Sequence, residues 1–417
     1  MGLTHRDTGN QRTRMRFRGG RLLIAALASA LPPTMAAAQT LPNLKASPQD
    51  QADLQYMQRN GLNVRTAVLT TFDSNIVRTD ADLVPSAADL IVSPTLEARF
   101  NRTTPLASFS LSGLVAYDQY VDNSERSRPR FLGGVDGDVR VFGTCSVKPT
   151  ASFRRERADY GDLNVQVENL QSFSTLGATV ECPRSSGFYP SFGYLRSTSD
   201  NDRDFDYADQ RTNSYSAAIA YAKPSLGVVR LSYTRDNSTR PNVGVRTQVN
   251  KAGVIFDRAI SSILAAHIDV HALWTDSTPA VIDRYEGAGW DIRLTTRAVP
   301  RWLLSLQSSR KITNDTLVAS GYALETSYGL VGRGALSELF SIDASIERRD
   351  RRFEQNPLAP AQRIGSDNLF IANAQARRRV SERFAIIAGG TYITRQTNNG
   401  LAEYNDVQGR LGFEAYF

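Results

Sequence analysis

The chain has 417 residues, 41% of them hydrophobic, a mean hydropathy of −0.33, a net charge of +7 and two cysteines. That length allows two or three soluble domains or one large β-architecture, and so few cysteines exclude a disulfide-dense scaffold or a multi-cysteine zinc module. Past the N-terminal segment the longest uncharged stretch, Thr103–Tyr117, is 15 residues broken by Ser, Thr and Gly. A membrane-spanning helix needs roughly 18 or more apolar residues, so a helical membrane protein is excluded.

The N-terminus reads as an export signal. Arg12, Arg14, Arg16, Arg18 and Arg21 precede the apolar run Leu22–Leu31, and Pro32-Pro33 and Ala36-Ala37-Ala38-Gln39 follow. A basic region, an apolar region and an A-x-A site in that order predict a signal peptide over 1–38, cleaved after Ala38. Residues 1–38 hold six arginines and one aspartate, a charge of +5, which leaves +2 for the rest. The basic excess belongs mostly to the leader, so no nucleic-acid partner is expected. Residues 39–60 are left as a periplasmic linker, too short for the plug domain of a TonB-dependent transporter.

From residue 61 onward, segments of about ten residues alternate apolar and polar positions, the period-two pattern of strands. The last segment places Val407, Leu411, Phe413 and Phe417 on one face and Asp406, Gln408, Arg410 and Glu414 on the other. Leu90, Val92, Leu96 and Phe100 oppose Ser93, Glu97 and Arg99; Ile268, Val270 and Trp274 oppose His267, Asp269 and His271. A soluble sandwich turns its apolar face to a second sheet, whereas here charge recurs in mid-strand throughout. A membrane barrel accounts for this: the apolar face meets lipid, the charged face lines a wet lumen, and closure removes the sheet edge.

Connections alternate in length as well. Short ones such as Gly143-Thr144 and Ser381-Glu382 face long ones such as Asp73–Ser86, Ser199–Arg211, Asp236–Val243 and Glu354–Ser366. Short periplasmic turns and long extracellular loops belong to this class, as do aromatic girdles, here Tyr194, Tyr233, Trp274 and Tyr392 toward the long loops and Phe188, Trp302 and Phe384 toward the turns. The count from Gly61 is eighteen strands, with sixteen as the alternative, over a barrel of residues 61–417. The expected location is the outer membrane of a diderm bacterium. Ending the last strand, Phe417 resembles the C-terminal signal read by the barrel-assembly machinery.

The opening strand also carries a likeness. Gly61-Leu62-Asn63-Val64 through Thr71-Phe72-Asp73-Ser74-Asn75-Ile76, followed by Pro94-Thr95-Leu96, resembles the β-barrel porin 2 family. The resemblance implies a porin-like barrel linked to exopolysaccharide production, with polysaccharide-export components as partners beside outer-membrane lipid and lipopolysaccharide. Only the opening motif is distinctive.

The inward faces carry Arg99, Arg140, Arg293, Arg333, Arg349, Arg351, Arg377, Arg379 and Arg410 with Asp136, Asp138 and Asp291 among them. These are the expected pore-lining residues, either neutralising one another across strands or forming an anion-attracting path. Arg333, Arg349, Arg351, Arg377 and Arg379 fall on late, neighbouring strands and predict local positive potential. His267, Asp269 and His271 share one face at spacing two, but no third histidine follows the leader, so no metal is expected. The acidic run Asp200, Asp202, Asp204, Asp206, Asp209 lacks the Gly and Glu of a calcium loop and reads as a solvated loop. No G-x-S-x-G nucleophile motif occurs, so neither an enzyme nor a cofactor is expected. Cys145 and Cys182 lie at the turn-side ends of the fifth and sixth strands and predict a disulfide. A two-residue turn at Gly161-Asp162 would set them four residues out of register, so the bridge requires an irregular loop.

Overall fold

The computed structural model describes residues 24–25, 60–78, 87–157, 169–278, 284–297, 299, 301–313, 316–317, 320–355, 365–398 and 403–417. The expected signal and linker therefore lie outside the described residues, apart from 24–25 and 60. Eighteen antiparallel strands form one closed barrel in chain order. They are β1 Gly61–Asp73, β2 Asp89–Thr103, β3 Ala107–Tyr120, β4 Arg128–Phe142, β5 Cys145–Arg157, β6 Leu170–Glu181, β7 Gly187–Asp200, β8 Gln210–Lys223 and β9 Gly227–Arg240. The rest are β10 Val245–Ala259, β11 Leu264–Thr278, β12 Glu286–Thr296, β13 Trp302–Thr313, β14 Ser320–Ala335, β15 Phe340–Gln355, β16 Ser366–Arg379, β17 Phe384–Thr397 and β18 Tyr404–Tyr416. A separate two-residue ladder joins Ile24–Ala25 to Thr316–Leu317.

The alternation sorts the side chains. On the outer face Leu231 is 65% exposed and Phe188 67%, whereas inner-face Leu369 and Ala385 are buried. An arginine at the middle of a lipid-facing strand costs about 2–4 kcal/mol. Accordingly, outward Arg258 and Arg378 sit at strand ends, and Arg196 and Arg235 lie on the loop side of their strands' midpoints. Closure is made by β1 on β18, in register from Arg65 opposite Tyr416 to Asp73 opposite Gln408. The Phe417 N–H donates to the Val64 carbonyl at 2.9 Å, and the Val64 N–H donates back at 3.3 Å. The chain end is thus held by the first strand, leaving no open edge.

The connections separate the two mouths. At the end that carries Gly61 and Tyr416, turns are tight; Gly143, in the two-residue turn between β4 and β5, adopts φ +53°, a left-handed conformation that a side chain disfavours. The opposite mouth holds the long loops. One of them is shorter than the sequence pattern suggests. Residues 236–240, expected in a loop, continue β9, with Thr239 opposite both Arg211 and Arg246. This stretch has no apolar alternation because it lies beyond the lipid-facing belt, and polar contacts carry it, among them the Lys251–Asp236 ion pair and the hydrogen bond from Gln210 Nε2 to Ser238 Oγ at 2.7 Å.

Candidate functional site

The inner face of the barrel gathers the ionisable side chains, and the register decides which of them meet. Near the turn end, Arg65 of β1 bridges Glu97 of β2 and Glu414 of β18, the latter at 2.9 Å, while Arg377 of β16 reaches Glu414 at 2.8 Å. The Tyr416 hydroxyl also donates to Glu414 at 2.7 Å. This network pins the closing strands from inside. Across the lumen, Asp257 of β10 accepts from Arg230 at 2.5 Å and meets His267 Nδ1 at 2.6 Å. His271 pairs with Asp269 at 3.1 Å, and Lys251 with Asp236 at 3.4 Å. A cavity of about 310 Å³ lies against this wall, lined by Glu181, Arg230, Asp236, Lys251, His267 and Asp291 among others. It alternates cationic and anionic groups along strands β9–β12. Beside it, the inner positions of β7 and β8 carry hydroxyls, Ser191, Ser214 and Ser216, and no charge.

The lumen is narrowed near the loop mouth by a hairpin. The ladder between β12 and β13 ends at Trp290 opposite Arg310. Above that pair, β13 and β14 leave the wall and lean inward across β12. Ile312 and Tyr322, on the outer-face parity of these strands, pack with Val249 of β10 and Leu273 of β11, whose side chains point into the barrel. Although three strands separate them in sheet order, Cα atoms of β10 and β14 come within 8 Å. Gly289 makes the crossing possible. A Cβ there would stand 2.3 Å from His271 Nε2 and 2.9 Å from the Arg310 carbonyl oxygen, too close for any side chain. The hairpin is held further by Arg310, which reaches the Tyr285 hydroxyl at 3.3 Å and lies over the Trp290 ring.

Sequence-derived positions fall as follows. Arg99, Arg140, Arg293, Arg333, Arg349, Arg351, Arg377, Arg379 and Arg410, with Asp136, Asp138 and Asp291, all stand on inner-face parity. The late arginine group does not stand as an uncompensated positive cluster. Arg333 pairs with Asp343 at 3.2 Å, Arg349 with Glu347 at 2.7 Å, Arg351 and Arg395 both with Asp367 at 2.5 and 2.8 Å, and Arg377 with Glu414. Strand register brings carboxylates between the arginines, because unpaired like charges on neighbouring strands repel. By contrast, among the described residues no carboxylate lies within 4 Å of the Arg99, Arg140, Arg293 or Arg410 guanidinium groups. His267 and His271 each take a carboxylate, and among the described residues no group of three or more metal-ligating side chains assembles.

The acidic loop is less free than a solvated reading suggests. Asp209 accepts from the Asn201 amide at 2.8 Å, and Asp202 from the Leu170 amide at 2.9 Å, around a 3-10 turn Arg203–Ala208. Cys145 and Cys182 form a disulfide. Ser146 lies opposite Glu181 and Arg157 opposite Leu170, so the two cysteines face each other directly across the hairpin. The turn proposed at 161–162 lies outside the described residues. The pairing of Asp257 with Arg230, which lines the wall cavity, is not legible in the sequence: each has inner parity, but their meeting depends on the β9–β10 register.

No family model matches the chain, so the likeness of its opening motif to the β-barrel porin 2 family is not accompanied by a family match. No curated protein matches either. Solved structures do. The chain is similar to OccK2 (OpdF) of Pseudomonas aeruginosa at 11% identity, covering 87% of this chain and 98% of that one with a TM-score of 0.47. It is similar to a BenF-like porin of Pseudomonas fluorescens Pf-5 at 10% identity, covering 87% and 100%, TM-score 0.46. It is also similar to the siderophore receptor PirA of Pseudomonas aeruginosa at 10% identity, covering 86% and 81%, TM-score 0.42.

Proposed function

We propose that this chain is a porin-like outer-membrane channel that passes small polar or charged solutes. The observation that carries the reading is solvated charge inside an apolar mantle. Arg333 and Asp343, on the inner face, are 59% and 45% exposed, while the outer positions of the same strands carry Leu330 and Ile346. Ionised side chains facing inward need water there, and a water-filled barrel through lipid is a conduction path. Arg99, Arg293 and Arg410, with no carboxylate within 4 Å among the described residues, favour anions, and the hydroxyl wall of β7–β8 suits a saccharide. The opening-strand resemblance supports an exopolysaccharide setting with export components as partners. Removal of residues 1–38 delivers the chain to the envelope, and Phe417 serves the barrel-assembly machinery as its recognition end.

A second reading is a barrel that closes on itself and anchors a surface-polysaccharide system without conducting. The inward hairpin of β13–β14 and the buried charge around Asp367 support it. Planar-bilayer recording on the mature protein separates the two. Discrete ion currents are expected; a folded barrel that inserts and passes no current defeats the channel.

A further inference from the structure

The outer face of β7–β10, toward the loop mouth, carries a cluster of arginines that nothing in the lumen uses. Arg196, Arg211, Arg235 and Arg246 are all exposed, and all have the outward parity of their strands. Arg211 and Arg246 flank Thr239, one on each side. At an interstrand spacing of about 4.8 Å their backbones stand about 10 Å apart, so both guanidinium groups can reach one phosphate. Among the described residues none of the four has a carboxylate within 4 Å. Elsewhere on the same rim Arg284 pairs with Glu286 at 3.0 Å and Arg348 with Asp350 at 3.1 Å, while Arg155 and Arg352 stand singly on strands outside this group. What is particular to this face is that four such arginines stand together on neighbouring strands.

The four are also placed at a definite depth. Tyr194 and Tyr215, with ring centroids 5.3 Å apart, stand opposite each other in the girdle, and Arg235 continues that row on β9. Arg235 is held out by Asn237 at 3.2 Å and Gln248 at 2.6 Å, both neutral partners. Beside it a groove of about 350 Å³ runs between Tyr215, Ala217 and Tyr233, apolar below and cationic above. Aromatic girdles mark the boundary between acyl chains and headgroups, so the arginines lie at headgroup level.

From this arrangement we infer that the β7–β10 rim binds a phosphorylated glycolipid of the outer leaflet, its acyl chains along the groove and its phosphates on Arg196, Arg211, Arg235 and Arg246. The inference rests on the outer-membrane reading above. It does not depend on conduction. A single-phosphate phospholipid meets the groove but not the width of the cluster, whereas a headgroup carrying two phosphates spans it.

The test uses the full barrel folded in detergent, with diphosphoryl lipid A as the probe and native mass spectrometry as the readout. One lipid A per barrel is expected. The quadruple R196Q/R211Q/R235Q/R246Q variant is expected to bind it about tenfold more weakly or worse, and an R284Q/R348Q control to bind it unchanged. Equal binding by the quadruple variant overturns the proposal. So does equal retention of dephosphorylated lipid A or of phosphatidylglycerol, since either would mean the cluster does not select two phosphates. Heat-modifiable gel migration verifies folding; should the quadruple variant not fold, R211Q and R246Q singly are each expected to weaken binding, and no change in either is equally decisive. Bilayer current on the same samples keeps the two readings apart. A silent barrel that still retains lipid A overturns conduction alone, and a conducting one that ignores it overturns this site alone. Membrane fractionation of cells tests the location separately.

Discussion

One strand carries the same chemistry in two environments. On the inner face of β15, Asp343 pairs with Arg333 near the turn mouth, and Arg351 pairs with Asp367 near the loop mouth. The first pair is 45–59% exposed; in the second, Arg351 and Asp367 are 3% and 0% exposed, and Arg395, at 0%, shares the same carboxylate. On this strand one pair is wet and the other is packed among side chains. An ion pair in water contributes about 0–1 kcal/mol, whereas removing one member of a buried pair costs about 3–5 kcal/mol because the survivor is left uncompensated. Along β15 the loop-side pair is thus locked into the wall, whereas the turn-side pair stands in solvent.

The largest expected effect tests that contrast directly. Asp367→Asn keeps the shape of the side chain but leaves Arg351 and Arg395 without their shared anion, both already under mutual repulsion. A loss of about 3–5 kcal/mol is expected, read as a lower urea midpoint for the barrel in lipid vesicles. Asp343→Asn is expected to change the midpoint by about 1 kcal/mol or less. Equal midpoints for the two variants would mean that burial does not separate the two ends energetically.

An intermediate effect comes from the turn end, where a covalent link joins β5 to β6. Cys145 and Cys182 close a loop at a sequence separation of 37. Replacing both by serine is expected to cost about 2–4 kcal/mol, mostly by enlarging the unfolded ensemble, with the β5–β6 ladder still formed. The check is the urea midpoint with and without reductant. Wild type should fall to the level of the double variant on reduction, and a midpoint insensitive to both would show that the ladder alone holds this hairpin.

How much of this was legible beforehand depends on the kind of contact. Lipid and water impose a period of two on every spanning strand, so the strand number, the faces and the arginine positions could be read from residues such as Val407–Phe417 and Leu90–Phe100. The disulfide was legible for the same reason, since both cysteines share parity at the same end. The pairing of Asp257 with Arg230 and His267 was not, because it needs the register of three strands, which loop sequences do not state. Nor was the inward hairpin. Its only trace is Gly287 and Gly289 at inner positions where neighbouring strands place bulk, and that trace has meaning only once Tyr322 is seen against Leu273. Beyond the lipid belt the period-two constraint lapses, which is why β9 ran on to Arg240 unannounced.

The smallest expected effect concerns the lumen's charge balance. Arg99, Arg293 and Arg410 have no carboxylate within 4 Å among the described residues, while Arg333 and Asp343 form a neutral, hydrated pair. In a channel, an ion passing through feeds on net charge, not on the number of charged groups. The triple substitution R99Q/R293Q/R410Q should therefore move the reversal potential in a KCl gradient toward cations, whereas R333Q/D343N should leave it in place. Screening sharpens the distinction: the Debye length shrinks from about 8 Å at 0.15 M salt to about 3 Å at 1 M, so the shift should fade as salt rises. A shift that persists unchanged at 1 M would point instead to a change in lumen shape. An equal shift in the R333Q/D343N variant would mean that the solvated pair, and not Arg99, Arg293 and Arg410, sets selectivity.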